Sequence, residues 1–281
     1  MDKADIEMVF EKAGLARLKK DIDHLARPSI RLSTTQVDEL SMPPGVSKLG
    51  GLPDLPEGVA WPEKEGQPQS FIAQIRLADV HSYDADNVLP AEGMLWFFYD
   101  ATQQTFGEDP SDRTGWLVIF AQSAALKRAP APANLPAESQ FHACSLSFAG
   151  EYTLSQQPQL EIPAFDWSEK EQTAYEQLLS TFPDAADHAT MHNRLLGNPD
   201  TIQDDMRQQC QLTTYGVTDI NDPRAAELSK GALDWQLLLQ VDSDVHAGMR
   251  WANNGMLYYW ITRTDLQARR FDAGWLVLQS E

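Results

Sequence analysis

The chain has few cysteines and no long apolar run. These two features argue against a disulfide-rich secreted protein and against a membrane-spanning one. Cys144 and Cys210 are the two cysteines among 281 residues, and they form no Cys-x-x-Cys pair. They make no disulfide framework, so the sequence predicts a reducing setting. The apolar run Met94–Tyr99 is far too short to cross a bilayer, and no apolar segment typical of a secretory signal follows Met1. We therefore expect a cytoplasmic protein with no membrane partner.

Basic residues are scarce relative to acidic ones. Lysine and arginine total 22 against 41 aspartates and glutamates, which gives a net charge of −19. A field of this sign repels phosphate backbones, so we expect no nucleic-acid partner. The same field speeds association with a basic protein, although acidity also serves solubility alone.

Motifs of the common enzyme classes are missing from the sequence. There is no Gly-x-Gly-x-x-Gly, no Gly-Lys-Ser/Thr and no Gly-x-Ser-x-Gly. No catalytic residue and no cofactor are predicted, and the sequence leaves open whether the protein is an enzyme.

Three short strings occur twice and in the same order. They are Gln74-Ile75 with Gln240-Val241, Gly93-Met94-Leu95 with Gly255-Met256-Leu257, and Gly115-Trp116-Leu117-Val118 with Gly274-Trp275-Leu276-Val277. Three collinear matches indicate an internal duplication, in which each copy completes its core against the other.

The sequence of each copy predicts three strands. Alternating apolar residues in 70–77 and 237–242 predict strands. The segments after Gly93 and Gly255 are apolar on both faces, which is typical of central strands covered on both sides. The sequence thus predicts an α+β fold with two duplicated three-stranded antiparallel units related by a pseudo-twofold axis, and with helices in the N-terminus and in the central insertion.

The N-terminal third is predicted to contain a helix and a long loop. Apolar residues at helical spacing from Ile6 to Leu25 predict an amphipathic helix that ends at Arg27-Pro28. Residues 41–69 are rich in glycine and proline and predict a loop. Trp61 lies in this loop and anchors it.

The central insertion is predicted to be mainly helical. Ser168 and Glu171 form a capping box at the start of a helix. We expect a second helix over 185–196 and a third from Asp200, with Gln203 three residues further on. Short strands are expected near 141–148 and 152–154. The whole chain, 1–281, is interpreted as one domain, divided into 1–65 (helix and loop), 66–122 (first repeat), 123–231 (linker and helical insertion) and 232–281 (second repeat).

Two groups of residues have spacings found in metal sites. His188 and His192 share a helix face if 185–196 is helical, with Asp184 one turn earlier. Asp242 and Asp244 follow a strand. Neither group has the further ligands that known motifs require, so surface or capping histidines and a hydrogen-bonded turn are the favoured interpretations, and no metal is predicted.

The two repeated glutamines are the leading candidates for a site. Gln74 and Gln240 lie on the strand face opposite the main apolar set, and a buried glutamine must satisfy donors and an acceptor. Each could bond a neighbouring loop, or both could face a cleft between the repeats. The candidate ligand-binding residues are Gln74, Gln240, His192, Arg194, Gln203 and Trp61.

Several ordered motifs resemble those of one protein family. These are Ser47-Lys48-Leu49-Gly50-Gly51-Leu52-Pro53 with Trp61-Pro62, Phe71 to Ile75, Leu89-Pro90 with Gly93 to Phe98, His192 to Pro199 with Ile202-Gln203, and Leu237 to Asp244 through Tyr259-Trp260-Ile261. Together they resemble the YwqG-like family of uncharacterised bacterial proteins. The resemblance implies an α+β fold of unknown function, and an immunity-like role for the part of the family that is encoded near polymorphic toxins.

The sequence departs from that family at one position. Where the family often reads Trp-Gly-Asp-x-Gly, this chain has Asn253 between Trp251 and Gly255. Asparagine cannot act as a general base or as an anionic ligand, so no role that needs the acid is expected here.

The sequence supports two functional hypotheses, beside a purely structural interpretation in which the motifs only maintain the fold. The first is a non-catalytic acidic binding protein, immunity-like, for a basic protein partner. The second is a small-ligand-binding protein, or an enzyme of unknown reaction, that uses a cleft between the two repeats.

Overall fold

The computed structural model describes residues 3–122, 125–162, 164–183 and 191–281. The described strands are β1 (Ala26–Gln36), β2 (Lys48–Leu49), β3 (Asp54–Pro56), β4 (Glu63–Lys64), β5 (Gln67–Pro68), β6 (Ser70–Arg76), β7 (Met94–Tyr99), β8 (Trp116–Ala121), β9 (Leu126–Arg128), β10 (Cys144–Leu154), β11 (Arg194–Leu195), β12 (Trp235–Asp242), β13 (Met256–Thr262) and β14 (Trp275–Gln279). The mixed helix and strand composition that the sequence predicted is confirmed.

The described α-helices are short; two precede β1 and the others lie between strands. They are α1 (Lys3–Lys12), α2 (Ile22–Leu25), α3 (Leu77–Val80), α4 (Pro158–Glu161), α5 (Glu169–Leu179), α6 (Met206–Thr214), α7 (Ala225–Leu228) and α8 (Arg263–Gln267). None of the helices in the described ranges is long and apolar enough to span a membrane.

Ten of the described strands form one antiparallel sheet. Their order is β14-β13-β12-β11-β1-β10-β2-β6-β7-β8, and every neighbouring pair is antiparallel. The two predicted three-stranded antiparallel units are therefore present as β6-β7-β8 and β12-β13-β14, at opposite ends of the same sheet.

The middle of the sheet is a long strand pair. β1 and β10 pair over eleven residues each, from Ala26 opposite Leu154 to Gln36 opposite Cys144. The sequence predicted two short strands where β10 is continuous, and it predicted no β1. The expected N-terminal helix is also interrupted, because Gly14 adopts a φ of 78° and a 3-10 helix over Ala16–Asp21 follows.

The two ends of the sheet pack against each other. Phe97 of β7 and Tyr259 of β13 have ring centroids 5.1 Å apart, and the rings of Trp116 and Trp275 lie 4.8 Å apart. The largest buried apolar cluster of the described residues contains side chains from both end units. Burial of apolar area is the main stabilising term in folding, so each end is stabilised by the other.

Two predicted helices of the insertion need correction. Residues 185–190 of this predicted helix lie outside the described residues. In the rest of it, Arg194–Leu195 is strand β11, which pairs with both β1 and β12. The helix expected from Asp200 begins instead at Met206, where the Asp205 side chain accepts from Arg207 N. The Asp200 carboxylate is held by Arg194, so it does not cap a helix.

The first helix of the insertion is confirmed. α5 begins after Ser168, and the reciprocal bonds between Ser168 and Glu171 form the predicted capping box. Tyr175 and Leu178 of this helix pack with Phe10 of α1 in a second buried cluster. The division of the chain into one domain with four segments stays a prediction.

Candidate functional site

Three of the candidate residues surround Asp200. Gln240 of β12 donates from Nε2 to His192 O at 2.7 Å and to Asp200 Oδ2 at 2.9 Å, and its Oε1 accepts from Asp200 N at 2.9 Å. The guanidinium of Arg194 lies 2.6 Å from Asp200 Oδ2, and His192 Nδ1 lies 3.1 Å from the same oxygen. We call these four residues the Asp200 cluster.

Gln74 lies in a second cluster, around Asp54. Its Nε2 donates to Val46 O and to Asp54 Oδ2, both at 2.8 Å, and its Oε1 accepts from Asp54 N at 2.8 Å. Lys48 Nζ lies 3.5 Å from Asp54 Oδ2, and Arg128 Nε lies 2.9 Å from Asp54 Oδ1. We call Gln74, Asp54, Lys48 and Arg128 the Asp54 cluster.

The loops that carry the two clusters match residue by residue. Residues 47–54 read Ser-Lys-Leu-Gly-Gly-Leu-Pro-Asp, and 193–200 read Asn-Arg-Leu-Leu-Gly-Asn-Pro-Asp. Positive φ values occur at the same places, 64° and 71° in the first loop and 60° and 79° in the second. The two segments were predicted as separate motifs, and their alignment with each other is the signal that reveals the match.

The matched loops are also held by matching contacts. Trp96 Nε1 donates to Asp54 O at 2.9 Å, and the Tyr258 hydroxyl donates to Asp200 O at 2.5 Å. Trp96 is the cross-strand partner of Gln74, and Tyr258 is the cross-strand partner of Gln240. In each half, the aspartate that ends the loop is thus bonded by a glutamine of one strand and by an aromatic residue of the next.

Charge pairing sets the ionisation of the two aspartates. Burial alone would raise the pKa of Asp54, but Arg128, Gly45 N and Gln74 hold that pKa below its usual value. Burial likewise opposes ionisation of Asp200, while Arg194 and His192 lower its pKa. Both aspartates are therefore anions that neutralise buried basic groups, which is a structural arrangement and not one suited to proton transfer at neutral pH.

The remaining candidates lie elsewhere. Trp61 packs against Phe98 at a centroid distance of 5.7 Å, donates to Gln69 O, and lines a cavity of about 340 Å³ with Phe71. Gln203 is exposed and donates from Nε2 to Ser280 O at 3.0 Å. The six candidates are thus distributed over the Asp54 cluster, the Asp200 cluster, the Trp61 cavity and the surface near the C-terminal strand.

A larger cleft has walls that the sequence analysis did not identify. Its volume is about 550 Å³, and it is bounded by parts of segments 3–30, 83–88 and 233–237 and by Tyr152, Glu161, Leu196, Gly197 and Arg263. Ile30, Val88 and Leu237 contribute apolar surface to it. These segments are far apart in sequence and carry no shared motif, so no local signal could have found the cleft.

Several polar groups in this cleft have no partner within the described part of the chain. The buried Oδ1 of Asp84 has none, although its Oδ2 accepts from Leu89 N at 2.7 Å. Asp86, Gln236, Tyr83 and Tyr152 also line the cleft. The basic groups Lys3 and Arg27, by contrast, are paired with acids.

Asp242 and Asp244, whose spacing is also found in metal sites, form a turn. Asp242 accepts from His192 N and Ser243 N. Asp244 accepts from Thr34 Oγ1, Asn193 Nδ2 and the backbone at 246–247. This confirms the hydrogen-bonded turn. His188 and Asp184 lie outside the described residues, within which no group of three or more His, Cys, Asp or Glu could hold a metal ion.

Comparison with known proteins gives a family but no activity. No curated protein matches the chain. Residues 47–280 match a family described as a domain of unknown function, DUF1963. This description carries no other family name, so the YwqG-like resemblance stays a prediction. Because the match covers most of the sequence, the chain belongs to the DUF1963 family.

Proposed function

We propose that this protein is a binding protein whose ligand is a small molecule held in the 550 Å³ cleft. The size of the cleft is the observation that carries the proposal, because ligand pockets usually measure about 300–1,000 Å³. Its walls come from both predicted repeats, through 83–88 and 233–237. The proposal therefore keeps the sequence hypothesis of a site between the repeats and assigns it different residues.

The composition of the cleft supports the same proposal. Ligand sites combine apolar walls with a few placed polar groups. Here Ile30 and Leu237 are buried apolar wall residues, while Gln236 and Tyr152 are half-buried. Their side chains make no hydrogen bond in the described part of the chain, so they are available to a ligand.

Within this proposal the two buried clusters position loops and do not bind the ligand. Every donor and the amide oxygen of Gln74 and Gln240 are already bonded within the chain. Leu196 and Gly197 of the loop at 193–200 line the cleft. The Asp200 cluster is thus suited to holding that wall in place.

We also propose that the two halves arose by internal duplication. The support is the matched loops 47–54 and 193–200, the matched glutamine contacts, and the three repeated strings. The strand order has β6-β7-β8 at one end and β12-β13-β14 at the other. A duplicated fold creates a junction between the copies, and such junctions are common places for ligand sites.

A cleft-filling variant tests the ligand proposal. Gln236→Trp would fill part of the cleft, while Gln67→Trp makes the same substitution at an exposed hairpin position. We expect aromatic fragments, screened by saturation-transfer NMR on the full chain, to bind the parent protein and Gln67→Trp but not Gln236→Trp. Fragments that bind all three proteins equally would show that the cleft is not the site.

A second candidate function is docking of a basic protein partner. Exposed acids surround edge strand β14, and they include Glu108, Asp109, Asp204 and Glu281. Phe106, 38% exposed, lies among them and accepts from Leu278 N. A basic surface with an apolar centre complements this face, and the net charge of −19 would speed its approach.

The docking candidate makes a salt-dependent prediction. A partner that co-purifies from the native cells should associate more slowly as salt is raised. It should be lost from a Glu108→Gln/Asp109→Asn/Asp204→Asn variant and kept by Glu57→Gln/Glu63→Gln/Glu65→Gln, which neutralises exposed acids in another loop. Equal retention by the two triple variants would contradict docking at this face.

A reducing, cytoplasmic setting belongs to the proposal. Cys144 and Cys210 are free and buried. Burial raises the pKa of the Cys144 thiol to about 12 and also raises that of Cys210. Both are therefore inert thiols that act as small core residues.

A further inference from the structure

We infer that the ligand of the cleft is an organic cation, recognised by Asp84 and Asp86 together with Tyr83 and Tyr152. This inference rests on the proposed small-molecule function and adds the chemical class of the ligand. It follows from the charges, the burial and the aromatic residues of the cleft.

The fixed charges of the cleft leave carboxylates without basic partners. Lys3 Nζ lies 2.5 Å from Asp23, and Arg27 lies 2.9 Å from Glu161. The Arg263 guanidinium donates to Leu233 O at 2.6 Å. Within the described ranges, no ion pair joins Asp84 or Asp86 to a basic side chain. The cleft therefore has an excess of negative charge on the 83–88 segment.

Asp84 is the most informative of these residues. It is 5% exposed, and its Oδ1 has no hydrogen-bond partner among the described residues. Leaving a buried polar atom without a partner is costly, so such atoms normally meet a protein group, water or ligand. A charged N–H donor forms the strongest kind of hydrogen bond to a carboxylate.

The aromatic residues favour a cation that has an apolar part. Tyr83 and Tyr152 line the same cleft, and the Tyr83 side chain is 38% exposed. Aromatic ring faces attract ammonium and guanidinium groups. Ile30, Val88 and Leu237 provide apolar surface for the rest of the molecule. A bare metal ion would gain nothing from these residues, whereas an aryl or alkyl amine would use all of them.

Three probes of similar shape and different charge test this inference. They are 2-phenylethylamine, 2-phenylethanol and 3-phenylpropionate, each titrated into the ¹⁵N-labelled full chain. We expect the amine to shift cleft resonances with a Kd at least about tenfold below those of the alcohol and the acid, because a hydrogen bond between two charged groups is stronger than one between neutral groups. High salt should weaken amine binding alone.

Variants assign the preference to the carboxylates. Asp84→Asn/Asp86→Asn should weaken amine binding about tenfold or more and leave the alcohol unchanged. Asp86→Asn alone serves if the double variant fails to fold, since Asp86 is exposed. Glu92→Gln removes one charge from an exposed residue that does not line the cleft, and it should leave all three affinities unchanged.

The outcomes separate the ligand class from the site. If the amine and the alcohol bind equally in the cleft, or if the acid binds best, the ligand is not an organic cation. The cleft would still be the ligand site. If calcium chloride alone shifts the same resonances, Asp84 and Asp86 bind a metal ion, and the inference of an organic cation is wrong. If none of the probes shifts a cleft resonance at its solubility limit, both the cation and the small-molecule function are wrong.

Discussion

Gln74 and Gln240 are buried amides whose donors and acceptor are bonded to one loop each. A backbone group inside a protein needs a partner, and here the side chain of a neighbouring strand supplies it. Glutamine suits this position because one side chain offers two donors and an acceptor. A hydrophobic residue of similar size would fill the space and leave the loop backbone without partners.

We therefore predict that Gln240→Leu destabilises the protein by about 3 kcal/mol, because Asp200 N and His192 O lose their bonds. Urea unfolding followed by tryptophan fluorescence measures the effect. Gln74→Leu should cost a similar amount, for the same reason at Asp54 N and Val46 O. Gln159→Leu, at an exposed position, is the control, and a loss as large there would contradict the explanation.

The paired aspartates predict the response to acid. The folded-state pKa values of Asp54 and Asp200 lie below the ordinary value of 3.8. Groups of this kind contribute stability above their unfolded pKa, and that stability is lost as the pH falls through the folded pKa. We expect the urea midpoint to fall steeply below about pH 4.

Substitution of one aspartate should flatten this response. Asp54→Asn lowers stability at neutral pH, but its urea midpoint should change less between pH 5 and pH 3 than that of the parent protein, because one titrating group is gone. Glu92→Gln, at an exposed residue, controls for loss of a charge. An unchanged slope in Asp54→Asn would show that Asp54 does not control the acid response.

At the scale of elements, the loop at 193–200 depends on a glycine next to the central strand pair. Gly197 has a φ of 79°, and a Cβ there would lie 2.6 Å from Ser29 Cβ and 2.7 Å from Thr153 Oγ1. Gly51 occupies the matching place in the other loop, with a φ of 71° and Ala143 Cβ at 2.8 Å. The loops approach the sheet closely because neither residue has a side chain.

Gly197→Ala should lower the free energy of unfolding by about 3 kcal/mol, because of left-handed backbone strain and steric overlap with Ser29 and Thr153. Gly216→Ala is a matched control, since Gly216 has a φ of 72° and nothing within 4 Å of its Cβ position. This control should lose about 1 kcal/mol. Thermal unfolding of both variants separates the cost of backbone strain from the cost of steric overlap. Equal losses of stability in the two variants would exclude the close approach to Ser29 and Thr153 as the cause.

The strands of the two end units were predictable, and the middle of the sheet was not. β6, β7, β12 and β13 alternate or are apolar throughout, so each carries its own signal. β11 is two residues long and is defined only by its partners β1 and β12. The interruption of the N-terminal helix depends on Gly14, whose conformation the helical spacing around it did not reveal.

The same distinction applies to the candidate site. The equivalence of Gln74 and Gln240 came from the repeated strings, but the loops they hold precede them by 20 and 40 residues, measured from Asp54 and Asp200. Because these two separations differ, a comparison of the sequence with itself at one fixed spacing does not align the two loops and the two glutamines together. The cleft was harder still, because Tyr83, Gln236 and Arg263 meet only in the folded chain.

At the scale of the whole molecule, the halves share one core. The largest buried cluster of the described residues includes Phe97 and Trp116 from one end unit of the sheet and Tyr259 and Trp275 from the other. The Tyr259 hydroxyl also donates to Phe98 O at 3.1 Å across the junction. Neither end unit could bury these side chains alone, so separate unfolding of one half would expose the core of the other.

We therefore predict a single cooperative unfolding transition, although chains of this length often unfold in steps. Far-UV circular dichroism and tryptophan fluorescence should give one urea midpoint. Phe97→Leu and Tyr259→Phe, one in each half, should lower that midpoint for both probes together, because each weakens the same core. Two midpoints, or a shift confined to one probe, would mean that the halves unfold independently and that their contact is not the main source of stability.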